Sequence, residues 1–307
     1  MFNGHSKFNS VKIGLALGGG GARALAHIGI LKILEEESVP IHYLAGTSMG
    51  AIISAVYAQN PSVDKLVERF QTSLDEDFYK ELGINYLKPG CAENGSFLKQ
   101  AARSIKRRVV INMAQNREAL LKNFRLRNVI TKFIDEGDIR DTQIPLGITA
   151  TSLQTGEDVF FDSGDIIDAV VASASIPCFL SPTLVNGDIL VDGAVSCPVP
   201  VTYLSQMGAD VTIGVEVSIR KFQPIDSVNI ISIIDRAENI TSTHLAEMMV
   251  KRADVSICPD TQDVYWSDFM RFPDLIEEGM RCAREKIPEI KNAIRKKMSW
   301  YKKFFIN

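Results

Sequence analysis

Four consecutive glycines, Gly18 to Gly21, constrain the fold of this 307-residue chain more than any other feature of its sequence. They follow a short apolar run from Val11 to Leu17, which predicts a buried strand, and they precede helical periodicity from Ala22 to Glu36. Each glycine loses more backbone entropy on folding than alanine would. A tight turn with close strand–helix packing would explain the glycines. So would a nest of free N–H groups at a helix N-terminus, which binds anions or developing negative charge.

The same strand–turn–helix alternation recurs immediately afterwards. Val39 to Ala45 predicts a second strand, residues 46–50 a turn, and Ala51 to Ala58 a second helix. Such alternation implies a parallel sheet covered by helices, connected by right-handed crossovers. The sequence therefore predicts an α/β fold of three layers, α/β/α, around a mainly parallel central sheet.

The chain shows no internal repeat and no obvious linker, which favours one domain over residues 11–295. Residues 1–10 are expected to form a flexible N-terminus, and residues 296–307 a basic, aromatic C-terminal tail. Between them, residues 87–137 are helical in pattern and predict a helical insertion or lid. Near the end of the chain we expect two helices, from Leu275 to Lys286 and from Ile290 to Trp300.

Composition excludes several classes of protein. Hydrophobic residues make up 46% and charged residues 23% of the chain, which are globular values and exclude a disordered or fibrous protein. No stretch approaches the roughly 18 uninterrupted apolar residues of a transmembrane helix. The polar start of the chain lacks the apolar core of a secretory signal, so we expect a cytoplasmic protein.

Positive charge is concentrated in two segments, although the net charge is −3. Lys and Arg are frequent in two segments, Phe97 to Phe133 and Ile290 to Asn307. Within the first segment, the apolar residues from Leu98 to Met113 recur at helical spacing. The negative net charge of the whole chain argues against nucleic acid as a partner. Basic amphipathic segments suit an anionic membrane surface, here the inner face of the membrane. Packing on the body of the protein or on a second subunit, in an oligomeric state left open, is the alternative.

The segment Gly46-Thr47-Ser48-Met49-Gly50 has the form G-x-S-x-G and lies between a predicted strand and a predicted helix. In that position a sharp turn exposes the serine hydroxyl, and small flanking residues let neighbouring backbone pack closely. The spacing predicts Ser48 as a nucleophile; the alternative is an ordinary helix N-cap.

A nucleophilic serine needs a base, and the chain has only four histidines, at positions 5, 27, 42 and 244. His27 is expected to be a core or partly buried residue of the first helix. His244 follows the other candidates in the chain order of a Ser–Asp–His triad, but its polar neighbours indicate a solvated helix face. Asp192, at the end of a short strand, could accept the serine proton directly if burial raised its pKa. On the sequence alone, Asp192-Gly193 is equally a hairpin turn.

The glycine turn matches a loose form of the dinucleotide-binding pattern of glycines. A dinucleotide site also needs a carboxylate at the end of the second strand to bind the ribose hydroxyls, and the second strand ends without one. A P-loop would need Gly-Lys followed by Ser or Thr, which is absent. An oxyanion hole is the remaining candidate for the turn.

Taken together, these motifs resemble the patatin-like phospholipases. The resemblance covers the glycine tract from Gly18 to Ala24, the Gly46–Gly50 elbow, the segment Ala172–Pro177 and Val191-Asp192-Gly193-Ala194, in the family's order. Gly18 stands where the family's loop has an acid, and Ala24 where it has a glycine.

The resemblance implies a serine lipid acyl hydrolase acting on phospholipid or lysophospholipid esters. Ser48 and Asp192 would form a dyad without histidine, and backbone N–H groups of Gly19, Gly20 and Gly21 would form the oxyanion hole. Arg23 would steady the loop or favour anionic head groups, with a surface salt bridge as the alternative. No metal or organic cofactor is required. The alternatives are a general carboxylesterase or thioesterase with the same dyad, and a non-catalytic, membrane-associated regulatory module.

Overall fold

The computed structural model describes residues 11–74, 77–84, 119, 121–177, 179–219, 222, 225, 230–261 and 264–305. The N-terminal segment 1–10 and the amphipathic stretch Leu98–Met113 lie outside these residues, as does most of the predicted insertion. In the part of the chain that is described, no helix has both the length and the apolar composition needed to span a membrane.

The strands are β1 (Ile13–Leu17), β2 (Tyr43–Thr47), β3 (Leu146–Ser152), β4 (Asp158–Phe161), β5 (Thr183–Val185), β6 (Asp188–Asp192), β7 (Val211–Val215) and β8 (Val255–Ile257). The α-helices are α1 (Ala26–Glu36), α2 (Met49–Gln59), α3 (Val63–Ser73), α4 (Phe78–Leu82), α5 (Asn123–Phe133), α6 (Ile166–Ser173), α7 (Val201–Met207), α8 (Ile230–Val250) and α9 (Phe272–Phe305).

All the strands of the described residues belong to one sheet, in the order β5-β6-β3-β2-β1-β7-β8, with β4 paired to β3 outside this path. The pairs from β3 through β8 along this order are parallel, whereas β4, β5 and β6 join antiparallel at the other edge. The predicted mainly parallel central sheet is confirmed.

Helices cover the two faces of the sheet, as the side-chain alternation of β1 requires. Ile13, Leu15 and Leu17 point into a large apolar core shared with α1, α2 and α9. Ala16, between them, belongs to a smaller core on the opposite face with residues of α7 and α8. The three-layer α/β/α architecture is confirmed, with the larger core on the α1 side.

Some of the predicted elements differ from the observed ones in where they begin and end. The second strand begins at Tyr43 rather than Val39 and runs to Thr47, because it pairs in register with β1 and β3. The edge strand β5 and the short helix α7 were not predicted, since three and seven residues are too few to show a period.

The two C-terminal helices predicted from the sequence are one continuous helix, α9, which passes through Pro288 and includes residues 296–305 of the predicted tail. Proline inside a helix removes one hydrogen bond and costs about 3 kcal/mol. Ile287, Ile290 and Ile294 are buried at helical spacing on either side of Pro288 and offset that cost by packing in the large core.

Two glycines let α9 cross α1 at backbone contact. A Cβ atom on Gly279 would overlap the carbonyl oxygen of Ala26, and one on Gly29 would overlap that of Ile276. Neither carbonyl can move without breaking its own helix. The crossing fixes the start of α9, and with it the preceding residues 264–271, against the rest of the domain.

We expect Gly279→Ala to lower the free energy of unfolding by about 2 kcal/mol or more, because overpacking against backbone outweighs the gain of up to about 1 kcal/mol that alanine ordinarily gives in a helix. Thermal unfolding followed by circular dichroism measures this. The control is Asn292→Ala, an exposed position of α9 where stability should be unchanged or slightly higher. A Gly279→Ala protein more stable than wild type would contradict the crossing.

Candidate active site

Ser48 occupies the sharp turn between β2 and α2, with backbone angles φ 55° and ψ −125°. A residue with a side chain is strained in this left-handed region. Such strain persists where the surrounding structure fixes the conformation, and it is concentrated at functional sites. Flanking glycines make the turn possible: a Cβ on Gly46 would lie 2.6 Å from the Cα of Ala51, and one on Gly50 would lie 2.6 Å from the carbonyl oxygen of Gly18. The strand–turn–helix context predicted for the G-x-S-x-G segment is therefore present.

Ser48 and Asp192 are in direct contact. The Ser48 hydroxyl donates a hydrogen bond of 2.6 Å to Oδ2 of Asp192, and the N–H of Ala194 donates to Oδ1 at 2.8 Å. The two side-chain positions lie 144 residues apart in the chain, and both residues are buried. Asp192 ends β6 and begins a short 3-10 turn, so its sequence context is a strand end and not a hairpin.

Burial raises the pKa of the Asp192 carboxyl to about 7. Loss of water penalises its charged form, and the negative charge of Glu238 on α8 acts in the same direction. The hydrogen bonds from Ser48 and from the Ala194 N–H oppose this shift. A carboxylate with a pKa near neutrality is well matched to taking a proton from a hydroxyl at physiological pH.

The C-terminal end of α6 and the residues that follow it bind both members of this pair. Ser173 Oγ accepts the N–H of Ser48 at 2.8 Å, and the carbonyl oxygen of Ser175 accepts the N–H of Asp192 at 2.9 Å. One short stretch of chain therefore fixes the separation of the two groups. In the sequence this segment stands out only by its resemblance to the family, and its role is not visible there, because one of the two contacts uses only backbone.

The glycine turn lies against Ser48. A Cβ on Gly19 would be 3.2 Å from the Cβ of Ser48, a separation tight enough to require glycine or local adjustment. The N–H of Gly19 donates to the carbonyl oxygen of Pro198 at 3.1 Å. Within the described residues, the N–H groups of Gly20, Gly21 and Met49 have no acceptor. Met49 begins α2 directly after Ser48 and was not considered from the sequence.

Arg23 is buried and connects this turn to two distant parts of the chain by hydrogen bonds. Its Nε donates to the carbonyl oxygen of Val217 at 3.0 Å and its Nη1 to that of Val264 at 3.4 Å. Burial lowers the pKa of its guanidinium to about 10, against the raising effect of Glu216, so it is charged at neutral pH. Only 7% of the residue is exposed, which leaves it as a support for the loop and not as a surface salt bridge or a head-group ligand.

Ser48 and Asp192 contact each other directly, and none of the histidines in the described residues takes part. His27 is fully buried in α1, where burial lowers its pKa to about 4, and its neutral ring donates from Nε2 to the carbonyl oxygen of Gly18 at 2.8 Å. His244 is exposed on α8. Among the described residues no three His, Cys, Asp or Glu side chains are grouped so that they could hold a metal ion.

Comparison with known proteins gives several relatives. The chain is 28% identical over 213 residues to an uncharacterized NTE family protein of Mycobacterium bovis, covering 68% of this chain and 50% of the relative. It is 26% identical over 205 residues to a lysophospholipase of Aspergillus fumigatus, covering 67% of this chain and 12% of that protein. The chain therefore spans half the length of the mycobacterial relative and a much smaller part of the fungal one.

Solved structures with a similar chain path have low identity. Human GIVD cytosolic phospholipase A2 matches with a TM-score of 0.47 and 13% identity, over 93% of this chain and 60% of that one. VipD from Legionella pneumophila matches with a TM-score of 0.43 and 13% identity, over 90% and 66%.

The family model described as patatin-like phospholipase matches residues 15–205, which include the glycine turn, the Ser48 elbow and Asp192. The resemblance noted in the sequence is confirmed, and the chain belongs to the patatin-like phospholipase family.

Proposed function

We propose that the chain is a serine lipid acyl hydrolase, which cleaves acyl esters of phospholipids or lysophospholipids through a Ser48–Asp192 dyad and an acyl-enzyme. The observation that carries the proposal is the 2.6 Å hydrogen bond from the hydroxyl of Ser48, held in a strained turn, to the buried carboxylate of Asp192. Membership of the patatin-like phospholipase family supports the lipid ester as substrate class.

Acylation begins when the Asp192 carboxylate accepts the proton of the Ser48 hydroxyl. The oxygen then attacks the ester carbonyl, and the carbonyl electron pair moves onto its oxygen to give a tetrahedral oxyanion. When the oxyanion collapses, the bond to the leaving alcohol breaks, and the proton held by Asp192 passes to that alcohol. The acyl group remains on Ser48.

Deacylation repeats the sequence with water in place of the serine hydroxyl. Asp192, again ionised, takes a proton from the water as it attacks the acyl-enzyme carbonyl. Collapse of the second tetrahedral intermediate breaks the bond to the Ser48 oxygen, which recovers the proton from Asp192. The net reaction consumes one water and releases a fatty acid and an alcohol.

The oxyanion would be stabilised by N–H groups of the glycine turn. Gly19, Gly20 and Gly21 were expected to provide them. Because the Gly19 N–H already donates to the carbonyl oxygen of Pro198, we propose Gly20 and Gly21 as the donors. Met49 adds a further N–H at the positive end of the α2 dipole. Loss of one such donor typically costs on the order of 100- to 1,000-fold in rate.

The dyad is tested by reaction with a fluorophosphonate probe, followed by intact mass. We expect one adduct on wild type and none on Ser48→Ala, because only an activated serine reacts. Asp192→Asn should label at least about 100-fold more slowly, since general base catalysis contributes that much or more. Ser54→Ala, a change to a fully buried serine of the adjoining helix α2, is the matched control and should label normally. An unlabelled wild type, even with lipid or detergent, would favour the non-catalytic module.

The labelling rate should depend on pH through Asp192. Its carboxyl accepts the serine proton only when ionised, and its pKa is about 7, so the rate should fall about tenfold for each pH unit below 7. Above pH 8 the rate should reach a plateau. Labelling from pH 5 to pH 9, with circular dichroism to confirm folding at each pH, measures the profile. A rate that is flat down to pH 5 would contradict Asp192 as the base.

The exposed part of α9 around residues 295–300 supports the further proposal that the protein binds anionic membranes peripherally, at the inner face of the membrane. Arg295 and Lys296 are exposed there, next to the half-exposed ring of Trp300. In the described part of the other basic segment, Arg127 pairs with Asp168 and Lys132 with Glu81. These two cations therefore contribute less to the binding of anionic lipid.

Sedimentation with vesicles tests this surface. We expect the protein to pellet with vesicles of anionic lipid and not with neutral ones, and Lys296→Glu to weaken that binding by at least about fivefold, since a cation near such a surface contributes about 1 kcal/mol. Lys65→Glu, an exposed position on α3, is the control for charge alone. Equal and negligible pelleting with both lipids would rule the surface out.

A further inference from the structure

Two aromatic side chains that the dyad does not use contact each other beside the site. The rings of Phe179 and Trp266 meet edge to face, with their centroids 5.3 Å apart and their planes at 65°. Both residues are only half-buried, so each presents apolar surface outside the core. Trp266 lies beyond residue 205, where the match to the family model ends.

The glycine turn connects Ser48 to the tryptophan. At one end of the turn a Cβ on Gly19 would lie 3.2 Å from the Cβ of Ser48, and at the other end a Cβ on Gly21 would lie 3.1 Å from the Cβ of Trp266. Only one residue separates these two glycines. The carbonyl oxygen of Trp266 also accepts the N–H of Ala22 at 2.7 Å, which fixes the tryptophan to the turn.

A second connection leads from Ser48 to the phenylalanine. Ser173 Oγ accepts the N–H of Ser48, and six residues further along the same segment Phe179 donates its N–H to the carbonyl oxygen of Ile176 at 3.2 Å. The segment that contacts Ser48 through Ser173 thus carries Phe179, and the glycine turn that contacts Ser48 is bonded to Trp266. The contact between the two rings joins these two connections. Ile176 and Pro177, also half-buried, lie between Ser173 and Phe179 in the chain.

We propose that Phe179 and Trp266 form the wall on which the acyl chain of the ester packs, and that they set the preference for acyl-chain length. The proposal rests on the proposed function, because the chain must be presented by an ester bound at Ser48. An acyl chain is the occupant that fits: it is apolar, it is joined covalently to the reacting carbonyl, and the wall is continuous with the loop that contacts Ser48. Burial of methylene groups against the rings would be the source of binding energy.

The ring of Trp266 can be removed without removing its support of the turn. The hydrogen bond to Ala22 uses the backbone carbonyl oxygen, and the contact with Gly21 uses the backbone and Cβ, all of which alanine retains. A change in chain-length preference can therefore be separated from loss of the site.

The first experiment measures kcat/KM for monomeric p-nitrophenyl esters from acetyl to decanoyl. Each methylene in contact with an apolar wall is worth about fourfold in kcat/KM. We expect Trp266→Ala to hydrolyse the acetyl ester within about twofold of wild type and the decanoyl ester on the order of 10- to 50-fold more slowly. Trp266→Phe, which keeps an aromatic ring, should recover most of the difference.

Met270→Ala is the matched control, because it truncates another long apolar side chain of the same segment, exposed to 61%. It should leave the dependence on chain length unchanged. An equal loss by Trp266→Ala at every chain length would assign the ring a structural role and overturn the proposal. So would an unchanged dependence on chain length.

The second experiment needs no turnover. The chain has two tryptophans, so Trp300→Phe leaves Trp266 as its sole tryptophan reporter. We expect its emission to shift to shorter wavelength when Ser48 carries a decylphosphonyl group and not when it carries a methylphosphonyl group. Identical spectra for the two adducts would overturn the acyl wall while leaving the nucleophile established. Failure of both probes to label Ser48 would instead overturn the proposed function, and this inference with it.

Discussion

Burial of the Asp192 carboxyl is the constraint around which this site is organised. Removed from water, a carboxylate is costly unless both oxygens are satisfied, and here Ser48 and the Ala194 N–H each supply one hydrogen bond. The same burial raises the pKa of the carboxyl to about 7, which is the property that the proposed role as a base for the serine hydroxyl requires. Stability and reactivity are therefore opposed at this one residue, and the surrounding backbone must hold it in place.

That backbone comes from parts of the chain far apart in sequence. The glycine turn is held by the carbonyl oxygens of Val215, Val217 and Trp266, all of them beyond residue 205, where the family model ends. Backbone carbonyls are present at every residue, so side-chain identity at these positions carries no signal of the role. The close crossing of α1 and α9 supports the arrangement, because it fixes the start of α9, which directly follows the segment with Trp266.

Sequence reasoning succeeded where a contact restricts residue type and failed where it does not. Gly46 and Gly50 are restricted because any side chain would collide with neighbouring backbone, and the elbow was predicted from that pattern. The β1 and β2 strands were predicted because each lies in an apolar run that a turn separates from a following helix. The contacts of Arg23 and Ser173 were not found, since a buried arginine and a buried serine look like any others until the fold brings Val217 or Ser48 beside them.

The absence of histidine from the Ser48–Asp192 contact has a physical consequence for how the site must be built. In a triad, an imidazole stands between serine and carboxylate, and the carboxylate can stay strongly acidic because it never takes the serine proton. In a direct pair the carboxylate itself must be basic, which demands a dry setting. For the proposed dyad, water exclusion would therefore be a condition of reactivity, and the close packing of Gly19, Gly50 and Gly193 against backbone and Ser48 would serve that condition as well as the turn.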